Sequence, residues 1–401
     1  MEKSEKRSST RNESIPYLSL EIISEILCKL PIDSVVRCRC VCKGWCHLTK
    51  SATFIEHLLS SNDYKEPWLI LEPFCADDDS TQPFLLVDIE GRRVRQIHID
   101  PLKGLSAMGT CRGLLCVGSY SALDPVFVCN PITREYRRLP TSGETIMGGH
   151  QVGLGFDPST GKYKALRTYV NIEGRRCFEV TTLGASSWRR LDVPEGWQTY
   201  FVYEPVFWNG AIHWKASGNE RDVIISYDVC HEKFRIISFT QDVGQFDLGV
   251  RHDNNSQSLL PPQGFVPDGN VPLATTIEPS ELELLGFRGC LTIVEHDNEW
   301  MREWEVTGDK FEDLSICFWD FHDTHVVWNP YMTYIVIGRL SSECFLLRVS
   351  ACYGNISNRK MHFTYFFPKK ANYLPLDIPS LPSRFTTIRG YEPSLVSPET
   401  V

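Results

Sequence analysis

The sequence predicts an α+β multidomain chain: a small unit of three short helices, then a large all-β domain. Three observations predict it. Apolar residues recur at three- and four-residue steps only near the start of the chain, between residues 20 and 48. From residue 68 onwards, short Val-, Ile-, Leu- and aromatic-rich runs alternate with turns bearing Pro, Gly, Asn and Asp. The 401 residues also leave room for one small domain plus one large β domain.

Composition narrows the function classes. With 42% hydrophobic and 23% charged residues, global disorder, collagen and coiled coil are excluded. The formal net charge is -9, with residues 1–59 at +2 and the remainder at -11. A chain this acidic lacks the clustered basic charge of a nucleic-acid binder, so no nucleic-acid partner is expected. No run of about 18 uncharged apolar residues occurs, so no membrane span is expected. Residues 1–14 are charged and Ser-rich, which predicts a disordered tail rather than a signal peptide. Fifteen Cys without a secretory signal are then expected as reduced thiols, in the cytoplasm or nucleus.

The helical unit is expected over residues 15–59. Leu20, Ile23, Ile26, Leu27 and Leu30 form one apolar stripe on a helix. Ser19 caps its start, and Glu21 lies in the first turn, where the helix dipole favours a carboxylate. Pro31 stops the helix by biasing Leu30 towards extended backbone. Asp33 or Ser34 is expected to cap a second helix carrying Val35, Val36 and Cys38. Val41, Cys42, Trp45 and Leu48 give a third apolar set. Three short helices bury little surface by themselves, so such a unit usually needs metal, disulfides or a partner.

These residues resemble a known family. Leu18-Ser19-Leu20-Glu21-Ile22-Ile23-Ser24-Glu25-Ile26-Leu27-Cys28-Lys29-Leu30-Pro31 is similar to the F-box pattern L-P-x-E-x-x-x-E-I-L-x-x-L-P. Ser34-Val35-Val36-Arg37-Cys38-Arg39-Cys40-Val41-Cys42-Lys43-Gly44-Trp45 continues it in the form common in plants. The chain departs from the pattern at Ser19, where Pro is usual, at Asp33, where Lys is usual, and at Cys38, where Phe is usual. The resemblance implies binding to the Skp-type adaptor of a cullin–RING ubiquitin ligase. It implies an interface built from Leu18, Leu20, Ile22, Ile23, Ile26, Leu27, Leu30, Pro31, Val35, Val36, Arg39 and Trp45. Such adaptors are acidic, which suits Lys29, Arg37, Arg39 and Lys43. Some of the apolar residues must instead serve as core within the chain. That core is expected to be separate from the core of the β domain.

Cys38, Cys40, Cys42 and Cys46 invite a metal reading. Steps of two on a helix point to different sides, so no metal site is expected there.

The β domain repeats a strand–turn–strand theme. The turns at Asn130, Thr182 and Asp228 lie roughly 50 residues apart, the period of a kelch-type propeller blade. Gly113, Gly210 and Gly289 each open a further strand. A blade cannot bury both faces alone, and stacked neighbours build a continuous core. Roughly 300 residues at this period hold about six blades. The kelch Gly-Gly doublet is read as missing from the strands. The expected layout runs from a tail (1–14) through the F-box (15–59) to a linker with first strands (60–104). The β domain (105–367) follows, interrupted by an insertion (240–281), and a Pro-rich C-terminal segment (368–401) comes last, irregular over 368–384.

Several phrases resemble the plant F-box-associated domain. They include Asn130-Pro131-x-Thr133, Gly153-Leu154-Gly155-Phe156-Asp157-Pro158, Phe207-Trp208-Asn209-Gly210-Ala211-Ile212-His213-Trp214 and Tyr391-Glu392-Pro393-Ser394-Leu395-Val396-Ser397-Pro398. The resemblance implies a plant F-box protein with a C-terminal, kelch-like β-propeller that holds a target protein for ubiquitination.

No catalytic motif stands against this. The sequence has no G-x-S-x-G, H-E-x-x-H, Walker or G-x-G-x-x-G element. His322 and His325 would point to opposite faces of a strand. No catalytic residue, cofactor or metal is expected. Two readings follow: a ligase substrate receptor, or an adaptor-independent ligand-binding or scaffold propeller. The second requires a polar cluster at inner loops of the blades, and the sequence offers none.

Overall fold

The computed structural model describes residues 18–60, 68–73, 83–88, 94–193, 201–217, 222–238, 281–287, 290–296, 300–307, 310–318, 332–341, 344–351, 360–367, 372–376 and 385–401. The expected tail (1–14), the interior of the insertion (240–281) and the His322–His325 pair lie outside the described residues.

The described residues begin with four helices, not three: α1 (Leu20–Cys28), α2 (Ile32–Cys38), α3 (Lys43–Lys50) and α4 (Ala52–Ser60). Ser19 caps α1 through the Ile22 N–H, as its position predicts. Pro31, rather than Asp33 or Ser34, is the cap residue of α2; its φ of -53° already suits the entry to a helix. The additional helix, α4, is capped by Ser51, whose Oγ accepts from the Phe54 N–H at 3.2 Å.

Among the described residues, the β domain holds 24 strands in six antiparallel sheets of four. The first sheet holds β1 (Trp68–Pro73), β2 (Phe84–Asp88) and β3 (Val94–Ile97). The second is β4 (Ser106–Cys111), β5 (Leu114–Gly118), β6 (Phe127–Cys129) and β7 (Tyr136–Arg138). The third is β8 (Ile146–Asp157), β9 (Lys162–Asn171), β10 (Arg176–Thr182) and β11 (Arg189–Leu191). The fourth is β12 (Phe201–Trp208), β13 (Ala211–Ser217), β14 (Asp222–Asp228) and β15 (Lys233–Ser238). The fifth is β16 (Glu281–Phe287), β17 (Cys290–His296), β18 (Trp300–Thr307) and β19 (Lys310–Phe318). The sixth is β20 (Met332–Ser341), β21 (Cys344–Ala351), β22 (Lys360–Phe367) and β23 (Asn372–Leu376). The last strand, β24 (Phe385–Tyr391), returns to pair with β1, giving the first sheet the order β24-β1-β2-β3.

No sheet closes on itself. The leading strands β4, β8, β12, β16, β20 and β24 each contact the next, and β24 contacts β4. The six sheets thus stand around one axis as blades. The domain therefore begins at β1 and ends with β24, not at residues 105 and 367. Strands β1, β2 and β3, within the segment expected as a linker with first strands (60–104), pair with β24 of the C-terminal segment (368–401) as the first blade, and β23, within the stretch expected as irregular (368–384), is the outer strand of the sixth. Pro375 sits in the edge strand β23, where a missing N–H is tolerated, so Pro richness misled the reading.

The three turns that set the period in the sequence are equivalent in space. Each joins the third and fourth strands of its blade. Two repeat in atomic detail. Asn130 Oδ1 accepts from the N–H groups of Ile132 (2.8 Å) and Thr133 (3.2 Å), and Asp228 Oδ1 from Cys230 (2.9 Å) and His231 (2.8 Å). Arg134 and Glu232, four residues on, both take left-handed backbone, at φ 64° and 54°. A Gly-Gly doublet does occur within a strand: Gly148-Gly149 lies in β8, where the register with β9 shifts.

The two cores are not separate. Leu27, Val35, Phe54 and Leu58 of the helices share one buried cluster with Trp68, Ile70, Leu86, Phe127, Ile132 and Leu395 of the propeller. The helices sit at the blade end that carries the Arg112-Gly113 and Asn130–Glu135 turns. Arg95 on β3 pairs with Asp33 on α2, and Arg112 with Glu56 on α4.

Candidate functional site

Helix geometry divides the apolar residues of α1 into two rows. Ile22 and Ile26 stand four apart, flanked by Leu18 just before the helix and Leu20 at its start, while Ile23 and Leu27 stand four apart, with Leu30 just past the helix end. The second row faces inward: Leu27 is 1% exposed, and Ile23 and Leu30 pack against the shared cluster. The first row does not. Leu18, Leu20, Ile22 and Ile26 are each between 47% and 55% exposed, and Val41, in the turn before α3, is 63% exposed. Pro31 is exposed beside them. Leaving a side chain of this size in water rather than buried forgoes roughly 1.5–3 kcal/mol. An uncovered apolar set on a small helical unit is a candidate interaction surface.

The twelve residues singled out by the sequence are therefore distributed over two faces. Leu18, Leu20, Ile22, Ile26 and Pro31 are exposed. Ile23, Leu30, Val36 and Trp45 are half-buried against the shared core. Leu27 and Val35 are core outright. Arg39 is half-buried, and its Nη2 donates to the Thr49 carbonyl at 3.4 Å. Burial lowers the pKa of its guanidinium, with the Glu135 carboxylate opposing. Val41 was read from sequence as part of the third apolar set. It precedes α3 and so is free to face outward.

Charge frames the exposed row. Lys29, Arg37 and Lys43 are exposed, and Arg37 Nη2 donates to Ser34 Oγ at 3.0 Å. Glu21 is held below its usual carboxylate range, first by the backbone N–H at the start of α1 and then by Ser19. The cysteines act as packing and cap groups. Cys38 packs on the core, and Cys42 Sγ accepts from the Trp45 N–H at 3.5 Å. Cys28 lies 3.6 Å from His57 Nδ1, but burial pushes its thiol pKa up, away from the reactive thiolate. Among the described residues, no group of three or more His, Cys, Asp or Glu is placed to hold a metal ion.

Residues 15–57 match the F-box domain. Residues 80–259 match the F-box associated beta propeller domain. The blades extend that second domain on both sides, from β1 to β24. The chain is 27% identical over 316 residues to F-box protein At5g49610 of Arabidopsis thaliana, covering 74% of this chain and 77% of that one. It is 25% identical over 241 residues to F-box protein At1g11270 of the same plant, covering 54% and 73%. The β-propeller domain of Vanderwaltozyma polyspora Nup133 aligns over 72% of each chain, at 12% identity and a TM-score of 0.37.

With the F-box placed, the large blade tryptophans can be assigned where described. Trp214 is fully buried in the core of the fourth blade, against Phe178 of the third. Trp208 is half-buried.

Proposed function

We propose that this chain is a substrate-recognition subunit of an SCF-type cullin–RING ubiquitin ligase. The F-box binds a Skp-type adaptor and, through it, the cullin and RING subunits. The propeller, kelch-like in its period, binds the target protein. The observation that carries the reading is the uncovered row Leu18, Leu20, Ile22 and Ile26 on a segment that matches the F-box. The inward row already has its cover in the propeller, so the outward row is what a partner completes. Lys29, Arg37 and Lys43 around it suit an acidic adaptor.

No chemistry is asked of the receptor itself. It supplies proximity, raising the effective concentration of a target lysine near the charged ubiquitin carrier. The end of the propeller away from the helices is the side open to a target. Tyr120 and Ile172 on turns and Met147 near the start of β8 stand exposed there, and the His150 N–H of β8 donates to the Tyr120 carbonyl at 3.1 Å. An acidic body favours a basic or neutral target surface. The place of action is the cytoplasm or nucleus.

Co-purification tests the reading. Wild-type protein co-expressed with a Skp-type adaptor recovers it in equal amount, together with cullin and RING chains when these are added. Wild-type protein that stays folded and captures no adaptor would refute it.

A further inference from the structure

The segment from Tyr391 to Val401 touches both halves of the molecule. It leaves β24 and crosses the two turns on which the helices sit. Tyr391 Oη donates to the Gly113 carbonyl at 3.2 Å. Gly113 has φ +80°, and a Cβ there would collide with the Ser394 side chain and the Glu392 carbonyl. Only glycine lets the segment lie this close. Asn130 Nδ2 donates to the carbonyls of Ser394 (3.0 Å) and Val396 (2.7 Å). Arg137 donates to the backbone oxygens of Val401 (2.8 Å) and Glu399 (2.6 Å).

The side chains of the segment bridge the domains. Tyr391, Ser394, Leu395 and Val396 are buried. Leu395 belongs to the cluster that holds Leu27, Val35, Phe54 and Leu58 of the helices. Val396 belongs to the cluster against which Ile55 and Leu59 of α4 pack. The same two turns that grip the segment also hold the helices. Arg112 pairs with Glu56 on α4, and Glu135 acts on Arg39 after α2.

We propose that Tyr391–Val401 is a latch that couples the F-box helices to the propeller as one body. As a positioning element, it fixes where the propeller stands relative to the adaptor, a consequence that rests on the receptor reading above. A ligase that works by proximity needs that distance held, because effective concentration falls as the linkage loosens. The backbone carbonyls of the latch are gripped by Asn130 and Arg137, so removing either side chain loosens the segment and with it the hold of Leu395 and Val396 on the two clusters.

Amide hydrogen exchange on the full chain bound to a Skp-type adaptor tests this, with wild type beside Asn130→Ala and Arg137→Ala. Arg137 is on the outer strand β7, so its variant keeps the test open where Asn130→Ala fails to fold. Exchange in residues 43–60 and 391–401 is expected to rise at least about tenfold, while β13, β14 and β21 keep wild-type rates. Adaptor affinity is expected to stay within about twofold. Unchanged exchange in α4, or equal acceleration in all strands, would overturn the latch. Failure of the receptor reading shows separately, as no adaptor bound by wild type. The exchange pattern is then read on the free protein.

Discussion

Strand β5 and helix α1 are both rich in large apolar residues, and the chain treats them differently. β5 is buried along its whole length, from Leu114 to Gly118, between neighbouring blades. α1 buries one row and leaves the other in water. The difference lies in what each element is offered. A strand in a stacked blade finds cover on both faces from the repeat itself. A short helix at one end of the blades meets them on one side only. The inward row is then a matter of folding, and the outward row a matter of association.

The largest effect expected from breaking this division is on binding. Ile22→Asp with Ile26→Asp places two charges in the outward row. Adaptor affinity should fall about 1000-fold, or about 4 kcal/mol, as for two interface hot spots. Thermal stability should hardly change, since both residues are exposed.

The mirror experiment is Leu27→Ala in the inward row. It opens a cavity in the shared cluster and should cost about 3 kcal/mol of stability, read by urea denaturation. Adaptor affinity per folded molecule should be nearly unchanged. Equal affinity losses from the two variants would erase the distinction between the rows.

Acid sharpens the contrast from the propeller side. His213 on β13 is buried, and burial brings its imidazole pKa down to about 4, with Arg235 adding to the shift and the Trp208 carbonyl opposing it. An unfolded imidazole titrates near 6.5. The folded form therefore favours neutral histidine. Its stability contribution is complete above about pH 6.5 and is lost as pH falls towards 4, by at most about 1.4 kcal/mol per unit. His150 shifts in the same direction for the same reason. Urea midpoints from pH 7 to 4.5 should fall less steeply in His213→Gln than in wild type. Parallel slopes would place the acid sensitivity elsewhere.

The smallest effect belongs to the charged contact between the domains. Arg95→Ala removes the partner of Asp33, a pair in which both side chains are partly exposed. The cost should be about 1 kcal/mol or less, within the range of a surface ion pair. A loss of several kcal/mol would mean that charge, not the shared apolar cluster and the latch, joins the two halves.

Much of this was legible in the sequence. The stripe on α1, its Ser19 cap and its stop at Pro31 are local features, and local features survive folding. The 50-residue spacing of Asn130, Thr182 and Asp228 gave the blades, because each lies at the turn between the third and fourth strands of its sheet, and the Asx chemistry of Asn130 recurs at Asp228 two blades on. What failed was long-range. The first blade is assembled from residues near 68 and near 391, and no local pattern announces the pairing of β1 with β24. The division of α1 into two rows was hidden for a similar reason. Both rows are apolar, and only the position of the propeller shows which one it covers. α4 had a readable signal in Ser51 and the spacing of Phe54, Ile55, Leu58 and Leu59.

The most direct measurement is the calorimetric affinity of the full chain for a Skp-type adaptor, wild type beside Ile22→Asp/Ile26→Asp. Tight one-to-one binding by wild type, lost in a variant with wild-type melting, is the predicted result. Equal binding by both proteins would contradict the account, because the exposed row of α1 would then have no part in holding the adaptor.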